Sequence, residues 1–443
     1  MFWSRSVLML SFSLFWCCLP GFSATLQLNP LAVNPSLFTV TEFTNIGFGA
    51  LGVTPLADGS VAIASYLGGV QRFVDANHDG VADATGTQIF NNVGDHTGLI
   101  AAGRYYLDGN SGGGPNGPAI TFLKPGANAA APLISAGSLD VGFVPNWEHS
   151  QMGIAARPTP GNAGSWDVVF NIGSEYDHQT STDTVQLSGL ISATLQGDSL
   201  YAVTVDLSGS QPVASNLRKV ASGIRNVIGM GFQPSTGDFY FADNAIDGTG
   251  PGGDEPPQAE EINRIAAADF GSGTPPDFGY PNCYIEYRTG NQIGSGCVQP
   301  LFAIQPLPNG TVLGSESEGV TQFDFAPAGF PDGFNNGLFL GFFGKWGVTG
   351  AANEENAVGY YDFGTRTLVH FSENSQNGVY QPIGIRATQN ALFISDYGSG
   401  KVYEVTSAAV PEPASAWLFA AGMIACGVIK IRSRAGLPSP STW

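Results

Sequence analysis

Apolar residues in this chain come in short runs separated by turn-forming clusters, and several of the runs repeat one plan. Ser60-Val61-Ala62-Ile63-Ala64-Ser65-Tyr66, a Gly68-Gly69 turn and Val70-Gln71-Arg72-Phe73 match Ala391-Leu392-Phe393-Ile394-Ser395-Asp396-Tyr397, Gly398-Ser399-Gly400 and Lys401-Val402-Tyr403-Glu404-Val405. Phe239 to Asn244 with Ile262 to Ile265, and Leu338 to Phe343 with Val358 to Phe363, are looser copies with longer loops between the two runs. Val, Ile, Phe and Tyr between Gly, Asn, Asp and Ser predict strands, not long amphipathic helices. A strand-turn-strand unit cannot bury both of its faces alone and so stacks on its neighbours, which is the signature of a propeller blade. The template predicts an all-β, six-bladed β-propeller, with Leu37-Phe38-Thr39-Val40-Thr41 as the strand that could close the ring.

Composition narrows the domain count. The chain has 443 residues, 43% of them hydrophobic, so it can bury a large core. Sixty Gly, 29 Pro and the absence of a long linker, charge run or low-complexity tract favour one all-β domain from about Thr25 to Thr406 over several smaller ones. A formal charge of -19 excludes nucleic acid as a natural partner, since phosphates need a basic face.

Both ends carry processing patterns. Arg5, an apolar run from Val7 to Leu19, Pro20-Gly21 and the small residues Ser23 and Ala24 describe a secretory signal over residues 1–24; the run is too short and too aromatic-rich for a membrane span. Val410-Pro411-Glu412-Pro413, an apolar run from Ala414 to Ile429, then Lys430, Arg432 and Arg434 resemble the PEP-CTERM sorting signal of Gram-negative, exopolysaccharide-making bacteria. That resemblance implies a signal over 410–434, transient inner-membrane anchoring, cleavage by an exosortase, and release to the cell surface or extracellular matrix. An apolar helix ending in positive charge inserts with that charge on the cytoplasmic side. With Cys17, Cys18 and Cys426 in these ends, the exported body keeps Cys283 and Cys297, most simply a disulfide; a metal or redox role needs more ligands or a C-x-x-C spacing.

Asp75-Ala76-Asn77-His78-Asp79-Gly80-Val81-Ala82-Asp83 places oxygen-bearing side chains at alternate positions around a glycine, which is how a loop wraps calcium. Asp75, Asn77, Asp79 and Asp83 are the candidate ligands. The same composition also suits a polar hairpin turn.

The most informative stretch runs from Ser222 to Cys283: Ser222-Gly223-Ile224-Arg225-Asn226, Thr236-Gly237-Asp238-Phe239 through Asp243-Asn244, Gly252-Gly253-Asp254-Glu255-Pro256-Pro257, Glu260-Glu261-Ile262-Asn263, and Phe278-Gly279-Tyr280-Pro281-Asn282-Cys283. In this order the pieces resemble the glucose/sorbosone dehydrogenase family of quinoprotein sugar dehydrogenases. The resemblance implies a six-bladed propeller that oxidises a sugar with pyrroloquinoline quinone and calcium. It casts His149, ahead of Gly153-Ile154, as the base that takes a hydroxyl proton, a task suited to imidazole. Arg225 and Asn226 match its R-N pair beside the quinone carbonyls, where a fixed cation stabilises developing negative charge. Asp243, Asn244 and Lys345 complete the expected cofactor contacts. The bland alternatives are a packed histidine and an arginine that ties two blades together.

Two departures bear on the cofactor. Ala245-Ile246-Asp247 stand where relatives wrap calcium with Gly-Pro or Gly-Arg carbonyls, and Gln381 stands where an Arg commonly grips a quinone carboxylate. Three functions follow as candidates: an exported dehydrogenase of an aldose or saccharide; a non-catalytic propeller that binds carbohydrate or another matrix component and has lost its quinone; and a metal-dependent lactonase or other hydrolase, which would need Glu175, Asn226, Asp243 and Glu261 to converge on one channel mouth.

Overall fold

The computed structural model describes residues 26–66, 68–91, 94, 96–112, 117–248, 256–307, 319–345, 355–374 and 381–408. The expected signal segment 1–24 and sorting segment 410–434 lie outside these residues. Among the described residues no helix is long and apolar enough to cross a membrane.

Six antiparallel sheets form the blades of a propeller. Their innermost strands are, in chain order, Ala50–Pro55, His96–Ala102, Ile154–Pro158, Val227–Phe232, Val320–Phe325 and Pro382–Ala387, and each contacts the next around a closed ring. Glycines let these strands approach one another. A Cβ on Gly229 would stand 2.8 Å from Thr321 O on the next blade, so any larger residue there would push two blades apart.

The repeated sequence units are the second and third strands of the first, fourth, fifth and sixth blades, as in the pairing of Val61–Ser65 with Gly69–Phe73 and of Ala391–Asp396 with Lys401–Ser407. The closing strand is longer than its sequence pattern suggested. Phe38–Asn45 pairs antiparallel with Lys401–Ser407, so the first strand of the domain completes the last blade. Phe38 fixes it there, with its ring edge-on to Phe330, Phe334 and Phe371 at 5.3 to 5.5 Å.

The second and third blades are less regular than the repeats imply. Between Ser165–Ile172 and Ser199–Asp206 of the third blade, the chain leaves to form the hairpin Thr184–Gly189 and Ala193–Gln196. That hairpin pairs with Ile134–Gly142 on the outer edge of the second blade and makes it six-stranded. Val185 and Leu187 alternate into the cluster of Leu107, Phe122, Phe170 and Val203 that glues these two blades together. Each such buried side chain stabilises the fold by roughly 1.5–3 kcal/mol.

Candidate functional site at the channel mouth

Residues that enter the innermost strands, and residues that end the second strands, gather at one end of the propeller. On the fourth blade Arg225 and Asn226 lead into Val227–Phe232, and Asp243 ends the neighbouring strand Phe239–Asp243. Asp243 accepts the backbone N–H of Arg225 at 3.0 and 3.1 Å and that of Asn226 at 2.8 Å. Burial outweighs these bonds and pushes its carboxyl up to about 7. The Asn226 side-chain oxygen is buried without a hydrogen-bond partner among the described residues.

Asn244 and Glu260 are spent on joining blades. Asn244 Nδ2 donates to Glu260 Oε2 at 2.7 Å and to Val320 O of the fifth blade at 2.8 Å. Ala245 N–H donates to Glu260 and Ile246 N–H to Gln258, and both side chains are buried. The Ala245-Ile246 segment is thus packed into the wall.

Arg225 is almost fully buried, and its guanidinium is claimed by two carboxylates. Nε donates to Asp177 Oδ1 at 2.7 Å, and Nη2 lies 2.6 Å from Asp177 Oδ1 and 2.7 Å from Asp247 Oδ1. Asp177 also accepts the Asp247 N–H at 3.2 Å and meets His178 Nε2 at 2.7 Å. Burial raises the Asp247 carboxyl to about 7 even though Arg225 draws it down, with Asp177, Glu260 and Glu148 adding like charge. Arg225 therefore bridges the loop of the third blade that carries Asp177 and the segment of the fourth blade that carries Asp247. Its sequence partners sit 48 and 22 residues away, a distance no local pattern encodes.

The loop that carries Asp177 is built to hold it still. Glu175 Oε2 accepts the N–H groups of Thr182 and Asp183, Asp198 accepts from Ser181, and Tyr280 donates its hydroxyl to Tyr176 O and Gln179 O. Tyr280 comes from an excursion of the fourth blade closed by a Cys283–Cys297 disulfide.

His149 lies beside this loop. It is buried, and Ser174 Oγ stands 2.8 Å and Ser174 O 3.2 Å from its Nδ1. The Ser174 hydroxyl hydrogen goes to Tyr176 O at 2.6 Å, so Nδ1 carries the imidazole hydrogen and Nε2 keeps its lone pair. Burial first, and the Arg225 charge second, hold the imidazolium pKa well below its ordinary value, which leaves a neutral ring.

Two further expected residues stand on the fifth and sixth blades. Lys345 is buried on the fifth blade, just past Gly337–Phe342. Gln381 uses its backbone, donating to Asp396 Oδ1 at 2.8 Å and accepting from Tyr397 N–H at 2.9 Å. Of the hydrolase set, Asn226 and Asp243 do meet. Glu175 instead holds its own loop, and Glu261 accepts Ile285 N–H at 3.0 Å while burial raises it to about 8.

The Asp75–Asp83 segment is a tight turn at the rim of the first blade. Asp75 accepts N–H groups of Asp79 and Gly80, Asn77 accepts from Asp79, Asp79 from Val81, and Asp83 from Ala76. Glu404, which the sequence did not single out, faces the turn from the sixth blade. Its carboxyl is raised by burial and then by the Asp75 charge. Among the described residues no three His, Cys, Asp or Glu side chains stand together as a ready metal cage.

These residues do not fit a quinone that carries carboxylates. Arg225 is already paired with two carboxylates, Asp177 and Asp247, and Gln381 supplies no cation in place of the expected arginine. An anionic cofactor would have to displace two carboxylates from a buried guanidinium, and an unpaired buried carboxylate is costly.

No protein-family model and no curated protein matches the chain. Solved structures do. The holo pyranose dehydrogenase PQQ domain of Coprinopsis cinerea aligns over 87% of this chain and 98% of its own, with a TM-score of 0.59 and 14% identity. A Trichoderma reesei protein of carbohydrate-active enzyme family AA12 covers 88% of this chain and 100% of its own at TM-score 0.57 and 12% identity. The apo form of the soluble aldose sugar dehydrogenase of Escherichia coli covers 84% and 99% at TM-score 0.52 and 15% identity. At such identities the likeness is one of fold: this chain has the all-β six-bladed propeller of sugar dehydrogenases.

Proposed function

We propose that this protein is an exported saccharide-binding propeller, built on a sugar dehydrogenase fold, whose channel mouth no longer holds a quinone. The observation that carries this reading is the clamping of Arg225 between Asp177 and Asp247. The sugar-acting proteins that share the fold support a saccharide as the ligand class. The oxidising alternative keeps one support, the neutral His149 with an unprotonated Nε2. Titration of the purified protein with pyrroloquinoline quinone and calcium, beside a dye-linked oxidation assay with aldoses, separates the two: the binding reading expects neither heat nor turnover.

The two terminal patterns support export, transient anchoring in the inner membrane, exosortase processing and residence at the cell surface or in the extracellular matrix. A calcium ion at Asp75, Asn77, Asp79 and Asp83 is part of the same reading, with Glu404 as an added oxygen donor. It is supported by the alternation of oxygen atoms and by the like-charge repulsion between Glu404 and Asp75, which a divalent cation would relieve.

A further inference from the structure

The seam between the first and sixth blades, at the same end of the propeller as Arg225, carries three aromatic rings that the site above does not use. Phe48 lies on the segment from the closing strand Phe38–Asn45 to the innermost strand Ala50–Pro55. Tyr66 and Tyr397 follow the second strands Val61–Ser65 and Ala391–Asp396 of the two blades. The Phe48 and Tyr397 rings are 5.0 Å apart and those of Tyr66 and Tyr397 6.4 Å apart, tilted and edge-on respectively. Phe48 is 46% exposed, and both tyrosines are partly exposed. A lone exposed phenylalanine needs no explanation, but a cluster of three at the mouth of a site does.

The backbone under the rings is fixed. Gly49 N–H donates to Tyr397 O, Tyr66 N–H to Gly49 O, and Tyr397 N–H to Gln381 O, each at 2.9 Å. Gly49 has a positive φ of 75°, and a Cβ there would press on the Tyr66 Cβ at 3.1 Å. The rings therefore sit on a platform that is organised before any ligand arrives, which lowers the entropic cost of binding. Its last hydrogen bond leads to Gln381, the residue that lacks the charge to grip a quinone.

We infer that Phe48, Tyr66 and Tyr397 form a stacking subsite for a pyranose ring of a neutral oligosaccharide. The axial C–H face of a pyranose is apolar and matches the face of an aromatic ring, while its hydroxyls can reach the tyrosine hydroxyls and the polar mouth. Neutrality follows from charge: a protein of formal charge -19 repels uronate and sulfated chains. This inference deepens the saccharide-binding reading and rests on it.

The test is affinity electrophoresis and calorimetry with neutral gluco-, galacto- and manno-oligosaccharides of six residues, with an oligo-uronate as the charged control. Wild type should bind at least one neutral chain. Phe48→Ala, an exposed position whose loss the fold tolerates, should weaken that binding about tenfold, and Phe48→Trp should restore it. Binding by wild type that Phe48→Ala and Tyr397→Ala both leave unchanged would overturn the subsite and spare the saccharide reading. Preference for the oligo-uronate would overturn the neutral-chain subsite and spare the saccharide reading, whereas absence of binding to every chain would overturn both.

Discussion

Replacing Arg225 with methionine keeps the length of the side chain and removes the charge that Asp177 and Asp247 share. If the guanidinium is a structural clamp, two carboxylates are left facing each other in a largely desolvated pocket. Breaking such a pair costs about 3–5 kcal/mol when both groups are fully buried. Asp177 and Asp247 retain 14% and 28% side-chain exposure, which reduces the cost to about 2–4 kcal/mol. With an unfolding entropy of ~0.8 kcal/mol per kelvin for a domain of this size, the melting temperature should fall by about 3–5 °C. The deficit should depend on pH in a defined sense. Without Arg225 the Asp247 carboxyl, already raised to about 7 by burial, loses the charge that draws it down and moves further above its unfolded-state value, so stability is retained at low pH and lost as pH rises through that window. The loss should therefore be larger at pH 8 than at pH 5, and adding Asp177→Asn and Asp247→Asn should recover part of it. Differential scanning fluorimetry at the two pH values is the assay. A change of less than 1 °C at pH 8 would refute the clamp and return Arg225 to the ligand.

Three further outcomes are expected. Asp243, Asp247 and Glu261, raised to about 7, about 7 and about 8 by burial, hold protons in the fold that the unfolded chain has released, so stability falls as pH rises toward 8. His149 and His370, both lowered, act in the opposite sense up to about pH 6.5. The net decline should thus lie between pH 6.5 and 8, roughly 3 kcal/mol by urea titration, and Glu261→Gln should flatten it; a rise over that range would contradict the assignment. Chelation of calcium should lower the melting temperature of wild type but not of Asp79→Ala, and an unchanged wild-type curve would make the Asp75–Asp83 segment an ordinary turn. Intact-mass analysis of secreted protein from the native host should find a chain beginning near Thr25 and ending before the apolar run at Ala414, whereas a secreted species retaining Trp443 would contradict exosortase processing.

Much of the architecture was legible because it is local. Val61 to Phe73 and Leu392 to Val405 alternate over a tight turn, so each announces two adjacent strands of a blade. Phe38 to Thr41 announced a strand, and an open ring needs one to close it. The hairpin Thr184–Gln196 was not legible: its alternation says that one face is buried but not against which sheet, and the sheet it joins belongs to the preceding blade. At the site, Arg225, Asn226, Asp243 and His149 were found through a motif. The side chains that decide what Arg225 does, Asp177 and Asp247, lie in irregular loops brought together only by the closure of the ring, and nothing in the spacing of polar residues marks them. Glu404 escaped notice for the same reason, as an outward-facing residue of a regular strand that meets the Asp75 turn across the seam between first and last blades.

The central claim is that carboxylates have taken the place of the quinone on Arg225. Isothermal titration of the purified domain with pyrroloquinoline quinone in the presence of calcium tests it most directly. The expected result is no heat of binding up to high micromolar quinone, with heat emerging only when Asp177 and Asp247 are both changed to asparagine. Saturable binding to wild type at micromolar concentrations or below, accompanied by aldose oxidation that His149→Ala abolishes, would contradict it.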